Sequence, residues 1–379
     1  MAVTRQTSVA RRVAQVLAVN IAMLLVLLVP VELVFGNWVR PLALKDLKRF
    51  SIPIGLMYSF DPSALYPSGE AHTATYTRDG WGLRGSARSL EAIDVMTVGG
   101  STTDQRYLDD ALTWQAVAEQ ESRAGGRALV FANAGVDGQS TVGHAFSLRY
   151  WFPLLPGLRP AVVLFYVGIN DVLMGEDRDA YDRSVDATAW RNKSVVFQLY
   201  KVVRGNLRAR DVGVMHGHHR PDPDAFTTVG RLNDAERADI AGEVTAQFLT
   251  RVDGLRRDTV AMGAAPVFVT QTAYGWNADR QPPRGMTGDV QTHGRTVNYA
   301  DVAAVHQHLN RALLAHCADQ HVACFDLAAE VVFDAADYYD PLHNTPSGAA
   351  KIGRYLAQQL AHQALLRPTT RGVYSRGEP

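Results

Sequence analysis

The chain has 379 residues, 47% of them hydrophobic and 20% charged, a balance that supplies a buried core and excludes the disordered and collagen-like classes. With 38 basic side chains against 38 acidic ones the formal charge is zero, so no field gathers a polyanion and a dedicated nucleic-acid binder is excluded. Two cysteines build neither a disulfide scaffold nor a four-ligand zinc site, and at this length one catalytic domain with attachments is the expectation.

Residues 13–31, VAQVLAVNIAMLLVLLVPV, carry no charge and only Gln15 and Asn20 as strongly polar breaks. About 19 such residues match one membrane-crossing helix. The continuation ELVFGNWVR lacks a clear small-x-small cleavage site, which favours an uncleaved anchor over 1–36 rather than a signal peptide. Trp38 then sits at the headgroups. Arg5, Arg11 and Arg12 precede the span while Arg40, Lys45, Lys48 and Arg49 follow it, so the count of basic residues does not fix its direction. The short leader predicts an N-terminus inside and the bulk translocated, which is a single-pass protein of the inner membrane with a periplasmic or otherwise extracytoplasmic domain. Residues 37–91 form a lead-in that ends RDGWGLRG and to which the sequence assigns no fold.

Over 92–366 short β-branched runs alternate with longer helical patterns: IDVMTV at 93–98, ALVFAN at 128–133, AVVLFYV at 161–167, PVFVT at 266–270 and VACFDL at 322–327. The alternation predicts a five-stranded parallel sheet with helices on both faces, a three-layer α/β/α sandwich. Asn233 and Glu236 are spaced as a capping box ahead of Ile240, Val244, Phe248, Val252 and Leu255 at helical spacing. Thr345 and Pro346 open a last helix with Ile352, Leu356 and Leu360 on one side.

Insertions at 172–232 and 272–298 interrupt the pattern and are expected over the active face. In the first, His216, His218 and His219 have no carboxylate or cysteine partner at ligand spacing, so no metal is assigned. Arg204, Arg208, Arg210 and Arg220 make it basic, which reads as a solvated face before a lipid or glycan contact. In the second, Tyr274 and Trp276 fit sugar stacking and simple packing equally well. Cys317 and Cys324 are compatible with a local bridge or with two buried thiols, and 367–379 reads as a loose tail.

In an open parallel sheet ligands bind beyond the carboxyl ends of the strands, and the polar residues there are the candidates. The first strand is followed by Gly99-Gly100-Ser101, the second by a loop reaching Asp137-Gly138, the third by Gly168-Ile169-Asn170-Asp171, and Asp340-Pro341-Leu342-His343 precedes the last helix. Ser101 fits a nucleophile at a tight turn. His343 fits its base, and Asp340 the carboxylate that fixes the imidazole tautomer. Backbone N–H of Ser101 and Gly138 with the Asn170 amide supply oxyanion donors, while Asp171 reads as a brace. Each motif is common alone; their joint order at strand ends is not.

These residues resemble the SGNH hydrolase superfamily, the GDSL esterases and lipases, over about 92–366. In that resemblance Ser101 matches block one, Gly138 block two, Asn170 block three, and Asp340 with His343 block five. Block one departs, with Gly-Gly-Ser where the family has Gly-Asp-Ser, which changes the group that braces the serine. The resemblance implies a flavodoxin-like fold, no cofactor, a metal-free mechanism and an ester substrate. The variant block, the RDGWGLRG lead-in and the anchor resemble bacterial members associated with cell-envelope glycans, which makes an acylated carbohydrate the expected partner. The expectation is a hydrolase that removes an acyl group, foremost acetyl. An O-acyltransferase using the same triad and a non-catalytic glycan-binding or assembly protein are the alternatives.

Overall fold

The computed structural model describes residues 2–38, 41–63, 65, 73–85, 88–174, 190–200, 203, 226–277, 282–292 and 294–363. The three histidines and four arginines singled out in the first insertion, and the tail 367–379, lie outside the described residues. The chain opens with α1 (Ala2–Phe35), whose stretch Arg11–Phe35 is long and apolar enough to cross a membrane. Over Val13–Phe35 most of its large apolar side chains are exposed, as a segment facing lipid requires.

The lead-in is not a separate unit. A 3-10 helix, Leu44–Phe50, buries Leu47 and Phe50, with the Phe50 ring 4.5 Å from Phe146 of the main core. An antiparallel hairpin follows, β1 (Leu56–Phe60) with β2 (Ala74–Arg78). The main α/β domain then runs β3 (Val95–Gly99), α2 (Ser101–Asp104), α3 (Trp114–Ala124), β4 (Phe131–Asn133), α4 (Thr141–Phe146), β5 (Val162–Tyr166) and α5 (Ile169–Met174). After the first insertion, which holds α6 (Trp190–Lys193) and β6 (Phe226–Thr227), come α7 (Asp234–Ala261) and β7 (Ala265–Val269). The second insertion folds as short strands β8 (Trp276–Asn277), β9 (Arg284–Met286), β10 (Asp289–Thr292) and β11 (Arg295–Asn298). The chain closes with α8 (Tyr299–Asp319), β12 (Ala323–Phe325), α9 (Leu327–Glu330) and α10 (Pro346–Ala361).

All five predicted strands form one parallel sheet in the order β12-β7-β5-β3-β4. Numbered among themselves, the strands follow the flavodoxin-like order, second-first-third-fourth-fifth, whose switch point lies between the first and the third. Both faces are covered, which explains unbroken apolar runs where a half-exposed strand would alternate. Val95, Leu164, Val267 and Phe325 meet Trp114 of α3 and Ile352 and Leu356 of α10 on one face. Met96, Val163, Phe165 and Phe268 meet Phe146, Phe248, Val252, Leu309 and Leu313 from α4, α7 and α8 on the other. The caps form as their sequence predicts: Asn233 Oδ1 accepts from Glu236 N–H at 2.9 Å while Asn233 N–H donates to Glu236 Oε2 at 3.1 Å, and Thr345 caps α10 with Pro346 at its first position.

Two open readings resolve. Cys317 and Cys324 are free thiols, and the bond from Cys317, with burial, pushes the Cys324 thiol up. Trp276 is fully buried, its indole N–H donating to His306 Nδ1 at 2.9 Å and its ring stacked on Tyr299. It is a core residue and offers no face to a sugar. Because His306 Nδ1 accepts, its own proton resides on Nε2, and a second proton would have to enter facing the Trp276 N–H.

Burial accordingly pushes His306 down from 6.5 to about 4. Above 6.5 both states hold it neutral; below that value the unfolded chain takes up a proton that the folded one refuses. Stability is therefore expected to fall by roughly 1.4 kcal/mol per pH unit on this account between about 6.5 and 4. Urea midpoints for wild type and His306→Gln at pH 7.5, 6 and 5 test it: the variant should show the shallower pH slope, and parallel slopes would overturn the assignment.

Candidate active site

The first and third strands of the sheet end side by side, and the loops that follow them diverge at the switch point. Ser101 is the first residue of α2, directly beyond β3. His343 and Asp340 arrive from the far end of the chain, in the turn before α10. His343 Nε2 lies 2.8 Å from Ser101 Oγ, across 242 residues of sequence, and its Nδ1 lies 2.7 Å from Asp340 Oδ2. Asp340 Oδ1 accepts the backbone N–H of Leu342 at 2.8 Å and of His343 at 2.7 Å. These bonds leave the turn one conformation in which the carboxylate faces the ring. The Tyr339 ring stacks on His343 at 5.6 Å and holds the imidazole from one side.

Asp340 is buried, and burial alone pushes its carboxyl up. The bond and charge of His343 and the two backbone N–H donors outweigh that, so its net displacement is below the ordinary carboxylate value. The carboxylate thus stays ionised opposite an imidazole N–H, the electrostatic condition for stabilising an imidazolium.

Asn170, in the first turn of α5, points its amide back across the switch point, where Nδ2 donates to the Gln139 carbonyl at 2.7 Å. Gly138 precedes that carbonyl and has φ of +76°, a backbone conformation that favours glycine. Gly100, Ser101, Gln139 and Asn170 line one recess together with buried His144 and Gln271. The structure therefore brings Ser101, Gly138, Asn170, Asp340 and His343 into one neighbourhood. Asp171 is engaged elsewhere than with the serine: its carboxylate accepts from Thr141 Oγ1 at 2.5 Å and pairs with Arg251 at 3.2 Å. It joins the loop after β4 to the loop after β5, and so braces.

The Gly99-Gly100-Ser101 turn leaves no space for side chains ahead of the serine. A Cβ at Gly100 would come 2.4 Å from Asn170 Nδ2 and 2.9 Å from the Gln139 carbonyl, and one at Gly99 would meet Thr103 Oγ1 at 2.0 Å. An aspartate at position 100 would displace the Asn170 amide from its bond to Gln139.

Bracing comes instead from residues that sequence reasoning missed. Arg78 and Arg84, the two arginines of RDGWGLRG, are fully buried beneath α2. Arg78 pairs with Asp104 at 2.6 Å and donates to the Gly135 carbonyl at 2.5 Å, so one guanidinium holds the end of the serine's helix and the start of the loop carrying Gly138. Tyr76 O–H donates to the same Asp104 oxygen at 2.9 Å. Arg84 donates to the carbonyls of Asp104, Gln105 and Leu108, with its guanidinium 4.7 Å from the Tyr76 ring centre. Gln271, just beyond β7, donates to Thr102 Oγ1 at 3.0 Å and accepts from Ile169 N–H at 2.7 Å, which joins the serine's helix to the Asn170 turn. The search beyond strand ends that found the other candidates would have found Gln271 had it been applied to the fourth strand. The second insertion leans on the turn that carries Asp340 and His343, since Gly275 N–H donates to the Pro341 carbonyl at 2.8 Å; Tyr274 packs against Tyr338 and Phe226.

No family model matches the chain and no curated protein matches it. Solved structures do. A lipolytic protein of the G-D-S-L family from Desulfitobacterium hafniense is 11% identical over 70% of this chain and 98% of its own, with a TM-score of 0.39. A mutant acetyl-xylooligosaccharide esterase from Geobacillus matches at 11% identity over 71% of this chain and 94% of its own, with a TM-score of 0.40. A carbohydrate acetylesterase from Sinorhizobium meliloti matches at 11% over 71% and 98%, with a TM-score of 0.38.

Breaking a buried ion pair by removing one partner typically costs about 3–5 kcal/mol, because the other charge stays buried and unpaired. Arg78→Met is expected to lose stability of that order in urea denaturation, and Arg78→Met with Asp104→Asn together to lose less than the two single losses added. A loss below about 1 kcal/mol for Arg78→Met would show that the pair does not hold these loops.

Proposed function

We propose that this protein is a serine esterase of the SGNH type, acting through a Ser101-His343-Asp340 triad on a small acyl ester. The observation that carries the reading is the continuous hydrogen-bond line from Ser101 Oγ through both ring nitrogens of His343 to Asp340. Ser101 Oγ attacks the ester carbonyl as His343 Nε2 takes its proton, and Asp340 stabilises the imidazolium. The carbonyl oxygen becomes an oxyanion facing Ser101 N–H, Gly138 N–H and the Asn170 amide. The tetrahedral intermediate collapses, the C–O bond to the alcohol breaks, and His343 returns the proton to the leaving oxygen. Water then attacks the acyl-enzyme with His343 again as base, which releases the acid and restores the serine hydroxyl.

We take acetyl as the acyl group, the ester being bound in the recess lined by Ser101, Gln139 and Asn170. The apolar helix α1 supports a membrane anchor, and the short leader before it is the ground for placing the domain on the extracytoplasmic side. We take acetyl esters of a cell-envelope or extracellular polysaccharide as the substrate class; the Geobacillus and Sinorhizobium esterases are described as acting on acetylated xylooligosaccharide and carbohydrate.

With p-nitrophenyl acetate and the full chain in detergent, Ser101→Ala and His343→Ala are each expected to lower kcat at least about 1,000-fold with unchanged circular dichroism. Asn170→Ala should lower it by about 100- to 1,000-fold, the typical effect of removing one oxyanion donor. Turnover retained in either triad variant would overturn the reading. Acetate release from an acetylated xylooligosaccharide, compared with release from a long-chain lipid ester, tests the substrate class.

A further inference from the structure

The end of α1 is not followed by a free linker. Glu32, three residues before the helix ends, places a carboxylate among apolar side chains where an unsatisfied charge is expensive. It is satisfied from the first insertion. Ser194 Oγ donates to Glu32 Oε1 at 2.5 Å and Val196 N–H to the same oxygen at 3.0 Å, while Val195 N–H reaches Oε2 at 3.2 Å. The Trp38 indole donates to Oε2 at 2.9 Å, Asn37 N–H to the Lys193 carbonyl at 2.8 Å, and Arg49 to the Phe35 carbonyl at 2.9 Å. The carboxylate caps helical turns at 195–200 and pins their start to the last turn of α1.

Those turns show an inverted surface. Val196, Leu199, Tyr200 and Val203 recur at the spacing of one helix face, yet they are 37%, 65%, 52% and 51% exposed. Trp190 beside them is 61% exposed, with the Arg191 guanidinium against its ring. An exposed apolar stripe with aromatic residues and flanking Arg191 and Lys193 is the pattern of a helix lying in a membrane interface. The neighbouring surface is Leu33, Val34 and Phe35, also exposed, so the stripe continues the surface of the helix that enters the bilayer.

We propose that residues 190–200 with Val203 are a membrane foot, inserted at the headgroup boundary of an anionic bilayer, which together with the Glu32 clasp fixes the height and tilt of the Ser101 site above the lipid. The inference rests on α1 being the anchor, and not on the esterase chemistry. The stripe lies at the headgroups, where Trp and Tyr are favoured and where the two basic side chains meet anionic lipid.

The test uses the full chain in vesicles of phosphatidylcholine with a minority of phosphatidylglycerol. Leu199→Trp adds an indole to the stripe, and its emission is taken as the difference from the parent chain, with circular dichroism confirming the fold. The expected result is blue-shifted emission quenched by lipids brominated near the headgroup end of the acyl chain, and a weaker quench in phosphatidylcholine alone. Red-shifted emission quenched by acrylamide would place the stripe in water and overturn the proposal. Blue-shifted emission untouched by brominated lipid would also overturn it, in favour of packing against a second copy or another part of the chain. Alkaline carbonate extraction separates the two layers: release of the chain refutes the anchor and the foot together, whereas retention with an unquenched indole refutes the foot alone. p-Nitrophenyl acetate turnover is a third, independent readout that bears on the esterase alone.

Discussion

Two guanidinium groups buried under the serine's helix are the constraint on which the site depends. Desolvating a charge costs several kcal/mol, and the structure repays it for Arg78 with a carboxylate, a tyrosine oxygen and two backbone carbonyls. For Arg84 it is repaid with three carbonyls, a second carboxylate and an aromatic face. What the arginines gain, the loops gain as well. Carbonyls at 104, 105, 108 and 135 belong to segments flanking Ser101 and Gly138, and each is held by a group that cannot move without exposing a charge to a low-dielectric interior. The lead-in is therefore part of the site's foundation although it contributes no atom to the recess.

Topology does the rest of the positioning. The strand order sets the ends of β3 and β5 side by side with their following loops turning in opposite directions, and the opening between them receives the turn before α10. Ser101 and Asn170 come from the two sides of the opening, and His343 from above. Three short polar links hold the layers in register: Gln271 between Thr102 and Ile169, Asp171 between Thr141 and Arg251, and Asn170 to Gln139. With those links in place the first block has no space for a side chain at position 100. A Cβ at Gly100 would meet the Asn170 amide, and the serine's helix is held from below by Arg78 through Asp104.

The sheet was legible in the sequence because burial on both faces writes continuous apolar runs, and the caps were legible because they are contacts within three residues. Ser101, Gly138, Asn170, Asp340 and His343 were legible as candidates for a topological reason: a strand end is the place where a parallel sheet offers polar groups to a ligand. Arg78 and Arg84 were not. Their partners lie about 20 to 60 residues away, and neither periodicity nor spacing encodes a bond of that range between a side chain and a carbonyl. Trp276 illustrates the converse ambiguity. An aromatic residue after a strand looks the same in sequence whether its face is open or stacked on Tyr299 with its N–H on a histidine, and only the fold decides.

The same reasoning separates the two kinds of histidine in this protein. His144 and His306 are wholly buried, and burial pushes them to about 3 and about 4, so both stay neutral at physiological pH and serve as shaped polar packing. His343 is different in its surroundings. One ring nitrogen faces an ionised carboxylate and the other a hydroxyl at the edge of an open recess. In the proposed reaction a proton passing from the serine to Nε2 is balanced by Asp340 without crossing an apolar interior. Proton transfer is possible at this histidine because an ionised carboxylate is already in place to receive the charge, and the buried pair lacks any such counter-charge among the described residues.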